Sequence, residues 1–371
     1  MLMMTHRQPS PPPQVEVVAS PAAFSDLRSE WNALVSRSDD QVFYQHEFIQ
    51  TWLNHFAKGK WRILLLRDAS GCLVAALPLL HGWARLHGLP LRQLGGAANL
   101  HSGRFDLLAD QPELASAAFL DYLSDQQDWD VLILTELPSQ GRARALEKVA
   151  RDRGFPTGRW CAMQSPCRML PATWLELEGQ LSSRFRANLR RRRRALEALG
   201  VVRAERCAHS AELIEAGMEL ELQGWKGRAG TAIAQDVDTC GFYTDLARAL
   251  GAQGRLALWA LYLDKRLIAF QFGLEHRGSY ALLKPAYDES LARYSPGQML
   301  MTEVLRDAIA RGLTRFEFLG EDMPWKQDWH PETRAQDWLF VFRKSASGRI
   351  LQAIKFSLLP RLRSMTRSMH R

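Results

Sequence analysis

Cysteine is scarce in this 371-residue chain, and what there is does not group. The five cysteines, at 72, 161, 167, 207 and 240, are odd in number and scattered, with no C-x-x-C pair. That supports neither a zinc site nor a disulfide framework. No apolar run approaches the ~20 residues that span a bilayer. The first residues, MLMMTHRQPSPPPQ, hold one Arg and no apolar stretch. They do not make a signal peptide. Residues 1–14 read as a disordered Pro-rich leader, and the cytoplasm is the expected compartment. G-x-S-x-G, H-E-x-x-H, the P-loop and G-x-G-x-x-G are all missing, so the usual hydrolase, zinc-peptidase and nucleotide signatures fall away. No heptad pattern persists over several repeats.

Acids are missing from two segments. Arg184–Arg194 has seven Arg and no acid, and Ser345–Arg371 has six basic residues and no acid. The net charge of +8 belongs to these two stretches, and the remainder is mildly acidic. The pI near 9.4 is therefore no footprint of sequence-specific nucleic-acid binding. Five consecutive Arg on a helix cover every direction, while Phe185, Leu189, Leu196 and Leu199 hold one side to the body. The segment reads as a solvated basic helix; nucleic-acid contact is the alternative, but no aromatics interleave for base stacking. In the tail, Ile350, Leu351, Ile354, Phe356, Leu358, Leu359 and Leu362 alternate with Lys and Arg until Pro360 interrupts them. Residues 345–371 read as a basic amphipathic tail packed on the second half. Peripheral contact with an anionic membrane is the alternative.

With 46% apolar and 24% charged residues, the rest is ordinary globular sequence. Patterning predicts a strand at Val15–Val18, a helix from Ser20-Pro21 to about Val35, and a helix at His46–Phe56. A hairpin follows at Trp61–Arg67 and Cys72–Leu80. Leu94–Gly96 and Phe105–Leu108 are short and Gly-bounded. Then come a helix at Pro112–Leu123, a strand at Asp130–Thr135 and a helix at Ser139–Asp152. The second half repeats this order. Ala211–Gly224 is helical, Leu256–Leu263 and Leu267–Leu274 are strands, and a third strand leads into the most informative stretch of the chain.

That stretch is Ser279–Asp322. Ser295 is a good N-cap, Pro296 suits the first helical position, and Met299, Leu300, Met301, Val304, Leu305, Ala308 and Ile309 recur at helical spacing. Gly312 fits the C-cap. Leu313–Leu319 then alternates, with Phe316 and Phe318 on one face and Glu317 on the other. Gly297 lets a ligand approach the backbone where free N–H groups and the helix dipole favour an anion, with Arg293 just upstream. The same signals also describe an ordinary capped helix. The first-half counterpart begins Asp110-Gln111-Pro112-Glu113, with two acids and no Gly, and would repel a phosphate. The loop Gly224–Ile233, with three Gly, Trp225, Lys226 and Arg228, is either an anion-wrapping loop or an irregular one pinned by Trp225.

Several blocks carry a resemblance. They are Phe185–Arg190, Gly224–Ala232, Lys284–Asp288, Tyr294–Gln298, Phe316–Gly320 and Trp325–Trp329, spanning roughly Leu181–Arg343. They resemble the acyl-CoA-binding half of the GNAT acyltransferase superfamily. They are most similar to its two-lobed CelD-like branch, found with cellulose and exopolysaccharide genes and related to the Fem-type aminoacyl transferases. The resemblance implies an α/β fold of two tandem GNAT-like lobes, residues 15–170 and 171–344. Each would be a mixed, largely antiparallel sheet flanked by helices, and only the second would hold a cofactor. It implies an acyltransferase, of N-acetyltransferase type, that uses acetyl-CoA or another acyl-CoA without metal or covalent intermediate. The acceptor would be an amine on a small molecule or a glycan or cell-envelope precursor. Arg293, Ser295, Pro296, Gly297, Gln298 and Met299 would hold the cofactor. Arg186, Asn188, Trp225, Lys226, Lys284 and Lys326 would hold the acceptor or carbonyl. Glu317, Glu321 and Asp322 are candidates for the base, and Tyr287 for protonating the leaving thiolate. The alternatives are a Fem-type enzyme using aminoacyl-tRNA, for which a coiled-coil insertion is missing, and a non-catalytic accessory protein of exopolysaccharide synthesis.

Overall fold

The apolar runs become strands in the computed structural model, which describes residues 14–86, 88–208 and 210–358. Among them are β1 (Val15–Val18), β2 (Trp61–Arg67), β3 (Leu73–Leu86), β4 (Leu89–Gly96), β5 (Leu108–Ala109), β6 (Val131–Pro138) and β7 (Thr157–Met169). The second half adds β8 (Val202–Cys207), β9 (Leu256–Leu263), β10 (Arg266–His276), β11 (Ser279–Tyr287), β12 (Arg315–Glu317) and β13 (Glu332–Phe342). All thirteen lie in one sheet, twelve of them in the order β1-β2-β3-β4-β6-β13-β7-β12-β11-β10-β9-β8, with β5 paired to β3 off this path. Neighbours run antiparallel except β4 with β6 and β11 with β12.

One pattern is used twice. Each half lays down a meander, β2-β3-β4 or β9-β10-β11, and then a crossover helix, Pro112–Asp125 or Pro296–Ala310. The helix is needed because a parallel return must bring the chain back across the sheet. A parallel strand follows, β6 or β12. Then the halves exchange strands. β7 of the first half pairs with β12, Cys167 facing Glu317, while β13 of the second half pairs with β6, Phe342 facing Val131. β7 and β13 lie side by side from Cys167↔Glu332 to Thr157↔Val341. The mixed, mostly antiparallel sheet with flanking helices is the expected architecture. The two expected lobes, however, are not separate sheets, since each is completed by the last strand of the other.

The core agrees with this. Its largest apolar cluster joins Leu64 and Phe119 of the first half to Phe242, Leu258 and Phe272 of the second. Helices His46–Phe56 and Val237–Gly251 meet across the pseudo-twofold, with Phe48 edge-on to Phe242 at 5.7 Å. Gly241 permits the approach, since a Cβ there would lie 2.6 Å from the His55 ring.

Several expectations shift. The first helix is two, Pro21–Asp26 and Arg28–Arg37, hinged at Leu27. The strand expected over Leu313–Leu319 keeps regular pairing only at Arg315–Glu317. Of the tail, Ala346–Ala353 forms a helix whose Leu351 packs with Phe340 and Phe342 of β13 and with Leu86, Leu91 and Val131, and Phe356 covers the bare backbone of Gly158. The tail thus packs against the first half and the strand inserted into it, not on the second half as expected. Residues 1–13 of the expected leader and 359–371 of the tail, with Pro360 and Leu362, lie outside the described residues. Among those described, no helix is long and apolar enough to cross a membrane.

Candidate active site

In both halves the parallel pair holds for three residues and then splays. Gln93–Gly95 face Val131–Ile133, and Ser279–Ala281 face Arg315–Glu317. Beyond these points the strands diverge and leave a wedge. In the first half the wedge is filled by the chain itself. Phe105 lies on Gly96, where a Cβ would be 2.8 Å from its ring, and the Phe105 N–H donates to the Glu136 carbonyl at 3.0 Å. Asp106 then accepts from the Arg142 and Ala143 N–H groups, both at 2.7 Å.

In the second half the wedge stays open as a cavity of about 750 Å³. Its lining crosses the middle of the shared sheet: Glu136 from β6, Gln336 from β13, Met163 from β7, Phe318 just past β12, Leu283 from β11 and Gln271 from β10. Both halves therefore build the site.

At its mouth starts helix Pro296–Ala310. Ser295 precedes it, but not as the expected N-cap. Its backbone is left-handed, with φ 53°, and its hydroxyl makes no cap bond. Instead the hydroxyl accepts from Arg192 Nη1 at 2.7 Å. The Gln298 and Met299 N–H groups both turn to the Ser295 carbonyl, at 3.0 and 3.1 Å. The Gly297 N–H has no partner among the described residues. A Cβ at Gly297 would meet only Tyr287, at 3.6 Å, and its φ is not left-handed. Neither packing nor backbone geometry inside the chain requires glycine there, so what it leaves is open approach to the helix start.

Of the candidate site residues, Ser295, Gly297, Gln298, Tyr287, Trp225, Lys226, Lys326 and Glu321 line the cavity. Several have structural partners too. Gln298 bridges to the Trp325 carbonyl and the Trp329 indole, at 3.0 and 2.7 Å. Lys226 binds Glu221 and the Pro285 carbonyl. Arg228 and the Trp225 N–H both go to Glu289, each at 2.7 Å. The Gly224–Ile233 loop is thus a wall of the cavity with its charges neutralised, not a free cationic wrap. Lys326 is buried and donates to the Leu319 and Glu321 carbonyls, and burial holds its ammonium down at about 8.

Other expected residues stand elsewhere. Pro296 and Met299 are buried in the helix packing, and Arg293 lies on the Tyr294 ring at 4.6 Å. Arg186 and Asn188 sit on helix Ser183–Glu197 away from the cavity lining, whereas Arg192 of the same helix reaches it. Asp322 is exposed and accepts from Gln327. Glu317 is buried outside the lining, in an ion pair with Arg104 at 2.8 Å that joins the two halves. Lys284 is behind the lining, over the Tyr243 ring at 5.4 Å, and burial and Lys226 lower it to about 8.

Two cavity groups went unnoticed in the sequence. His101 stacks on Phe56, contacts the Tyr243 hydroxyl at 3.2 Å, and is kept neutral by burial and Lys284, which push it down to about 4. Glu136 is buried, its carboxyl has no hydrogen-bond or ionic partner among the described residues, and burial raises it to about 7. Counted from the first parallel-paired residue of each half, Val131 and Arg315, Glu136 falls where the second half has Gly320, and both have φ 57°. Setting ILTELP against EFLGED was the only sequence signal that could have singled it out.

Comparison with known proteins comes to the same fold. Residues 183–327 match the family model for the acetyltransferase (GNAT) domain. No curated protein matches the chain. Among solved structures, FemX is similar with a TM-score of 0.58 at 12% identity, over 84% of this chain and 95% of its own. A tandem GNAT protein from the clavulanic acid biosynthesis pathway gives 0.51 at 14% identity, over 90% of this chain and all (100%) of its own. L-PGS from Bacillus licheniformis gives 0.51 at 12%, over 90% and 96%. Identities this low speak to fold alone. The fold is the GNAT acyltransferase fold in tandem.

Proposed function

We propose that the protein is an acyl-CoA-dependent acyltransferase that holds its donor in the second-half wedge and receives an amine acceptor from the first-half side. The observation carrying this is Gly297: an unneeded glycine with an unpartnered N–H at a helix start, opening on the cavity beside Arg192. Bare backbone, helix dipole and guanidinium together suit a pyrophosphate. The pantetheine arm then has a largely apolar channel between β11 and the segment after β12. The thioester arrives activated, so the site has only to orient it and exclude water. Tyr287, expected to protonate the thiolate, instead packs beside Gly297 at the phosphate end, where its ring would flank the pyrophosphate. From the resemblance, we extend the acceptor class to sugar amines of polysaccharide or envelope precursors.

Calorimetric titration with acetyl-CoA, a longer acyl-CoA and free CoA tests this. Binding should weaken at least ~10-fold in Gly297→Asp, because a carboxylate then faces the phosphates. Failure of every CoA species to bind wild-type protein would sink the reading. One observation favours a second donor. Arg184, Arg190, Arg191 and Arg194 are exposed on the helix that carries Arg192, a surface that would also take the backbone of a charged tRNA. Charged tRNA is the ligand to titrate next if CoA does not bind.

A further inference from the structure

A buried carboxyl with nothing to bind is costly to a fold, and a non-glycine residue in the left-handed region adds to that cost. Glu136 has both features, at the place where the repeat of the same pattern uses Gly320. The backbone of this position is therefore satisfied by glycine, and the side chain is the addition. It is added only in the half whose own wedge is plugged, and it is aimed into the cavity of the other half. The neighbours do not explain it. Arg104, a buried cation of the first half, is committed to Glu317 and Gln41. Gln336 donates to the Gly103 carbonyl at 3.0 Å. His101 is neutral, and Lys226 is paired with Glu221.

We infer that Glu136 is the acceptor's receptor and its base: it pairs with a primary ammonium entering from the first half and takes one of its protons. This rests on the acyltransfer reading. An ammonium beside the carboxylate supplies the missing partner. Its proton passes to Glu136, freeing the nitrogen lone pair. The nitrogen bonds to the thioester carbonyl carbon as the carbon–sulfur bond breaks. The second amine proton ends on the CoA sulfur, and Glu136 returns its own proton to water. The substrate class is then a primary amine that is cationic at neutral pH, not an alcohol, for which no such charge pairing would exist. Catalytic work is divided: the second half binds the donor, and the first half recognises and deprotonates the acceptor.

The test uses the full chain. Acetyl-CoA titration of wild type and Glu136→Gln checks the premise separately: Arg192 exerts no charge effect on Glu136, so both should bind alike. Thiol release is then followed from pH 5 to 9 with acetyl-CoA and three primary amines, glucosamine, L-lysine and ethanolamine. We expect transfer to at least one, rising through about pH 7 as Glu136 ionises. Glu136→Gln should lower it on the order of 100-fold or more and flatten that limb. Glu136→Asp should recover part of the rate. A Glu136→Gln protein with wild-type rate and pH profile overturns the assignment. So does binding of acetyl-CoA with transfer to none of the amines, which would leave the acyltransfer reading standing. If wild type binds no acetyl-CoA, both fall together.

Discussion

At the scale of single residues, Glu136 should weaken the fold it serves. In the unfolded chain its carboxyl ionises near the ordinary glutamate value of 4.5, and in the folded chain burial raises it to about 7. Below the lower value both states are protonated and nothing is lost. Between the two, the unfolded state sheds its proton first and gains. Above about 7 the full penalty is present, up to roughly 3 kcal/mol from a shift of this size. Glu136→Gln should therefore raise the melting temperature at pH 8 and leave it unchanged at pH 4, which thermal unfolding at the two values would check. An equal shift at both would mean that the ionised carboxyl is not what strains the fold. Glu317 should behave in the opposite way. Removing its charge strands buried Arg104, so Glu317→Gln is expected to cost about 3 kcal/mol or more in denaturant unfolding.

At the scale of elements, the helix Pro296–Ala310 separates stability from binding. Gly297→Ala should leave stability unchanged or raise it by up to ~1 kcal/mol, because alanine favours helix and its Cβ has room beside Tyr287. Acyl-CoA binding should nevertheless weaken. If urea midpoints and calorimetry moved together, glycine would be serving the helix rather than a ligand. This element was readable in the sequence because its apolar spacing, Pro-Gly start and Gly312 end all agree. β1, β2 and β9 were equally readable, with bounds as expected, because each is a short apolar or alternating run between turn residues. β7 was not. Its Pro166, its arginines and its half-exposed first residues follow no period, and its partners β12 and β13 come from remote chain, so pairing rather than local preference makes it a strand. Helix Val237–Gly251 was missed because Thr239, Cys240 and Gly241 are poor helix formers, although Asp236 caps it at 2.7 Å. At the site, Gly297 and the cavity walls were legible as local signals. Arg192, one of five consecutive arginines, and Glu136, a lone acid in a strand, depend on the meeting of two halves.

At the scale of the whole molecule, a sheet shared by both halves should unfold as one. Tryptophan fluorescence and far-ultraviolet dichroism are expected to give coincident urea transitions, and a Leu339→Asp change in β13 should shift both together. Two separated transitions would show the halves to be independent. Exchange of strands also sets a timetable for synthesis. β6 is complete at Pro138, but the neighbour that covers its open edge ends at Phe342. At ribosomal speeds of roughly 5–20 residues per second, that edge waits about 10 to 40 s for its partner. Until then the nascent chain displays an unpaired β edge, the surface through which chains stick to one another. The protein's vulnerable moment thus lies on the ribosome, before its last strand emerges.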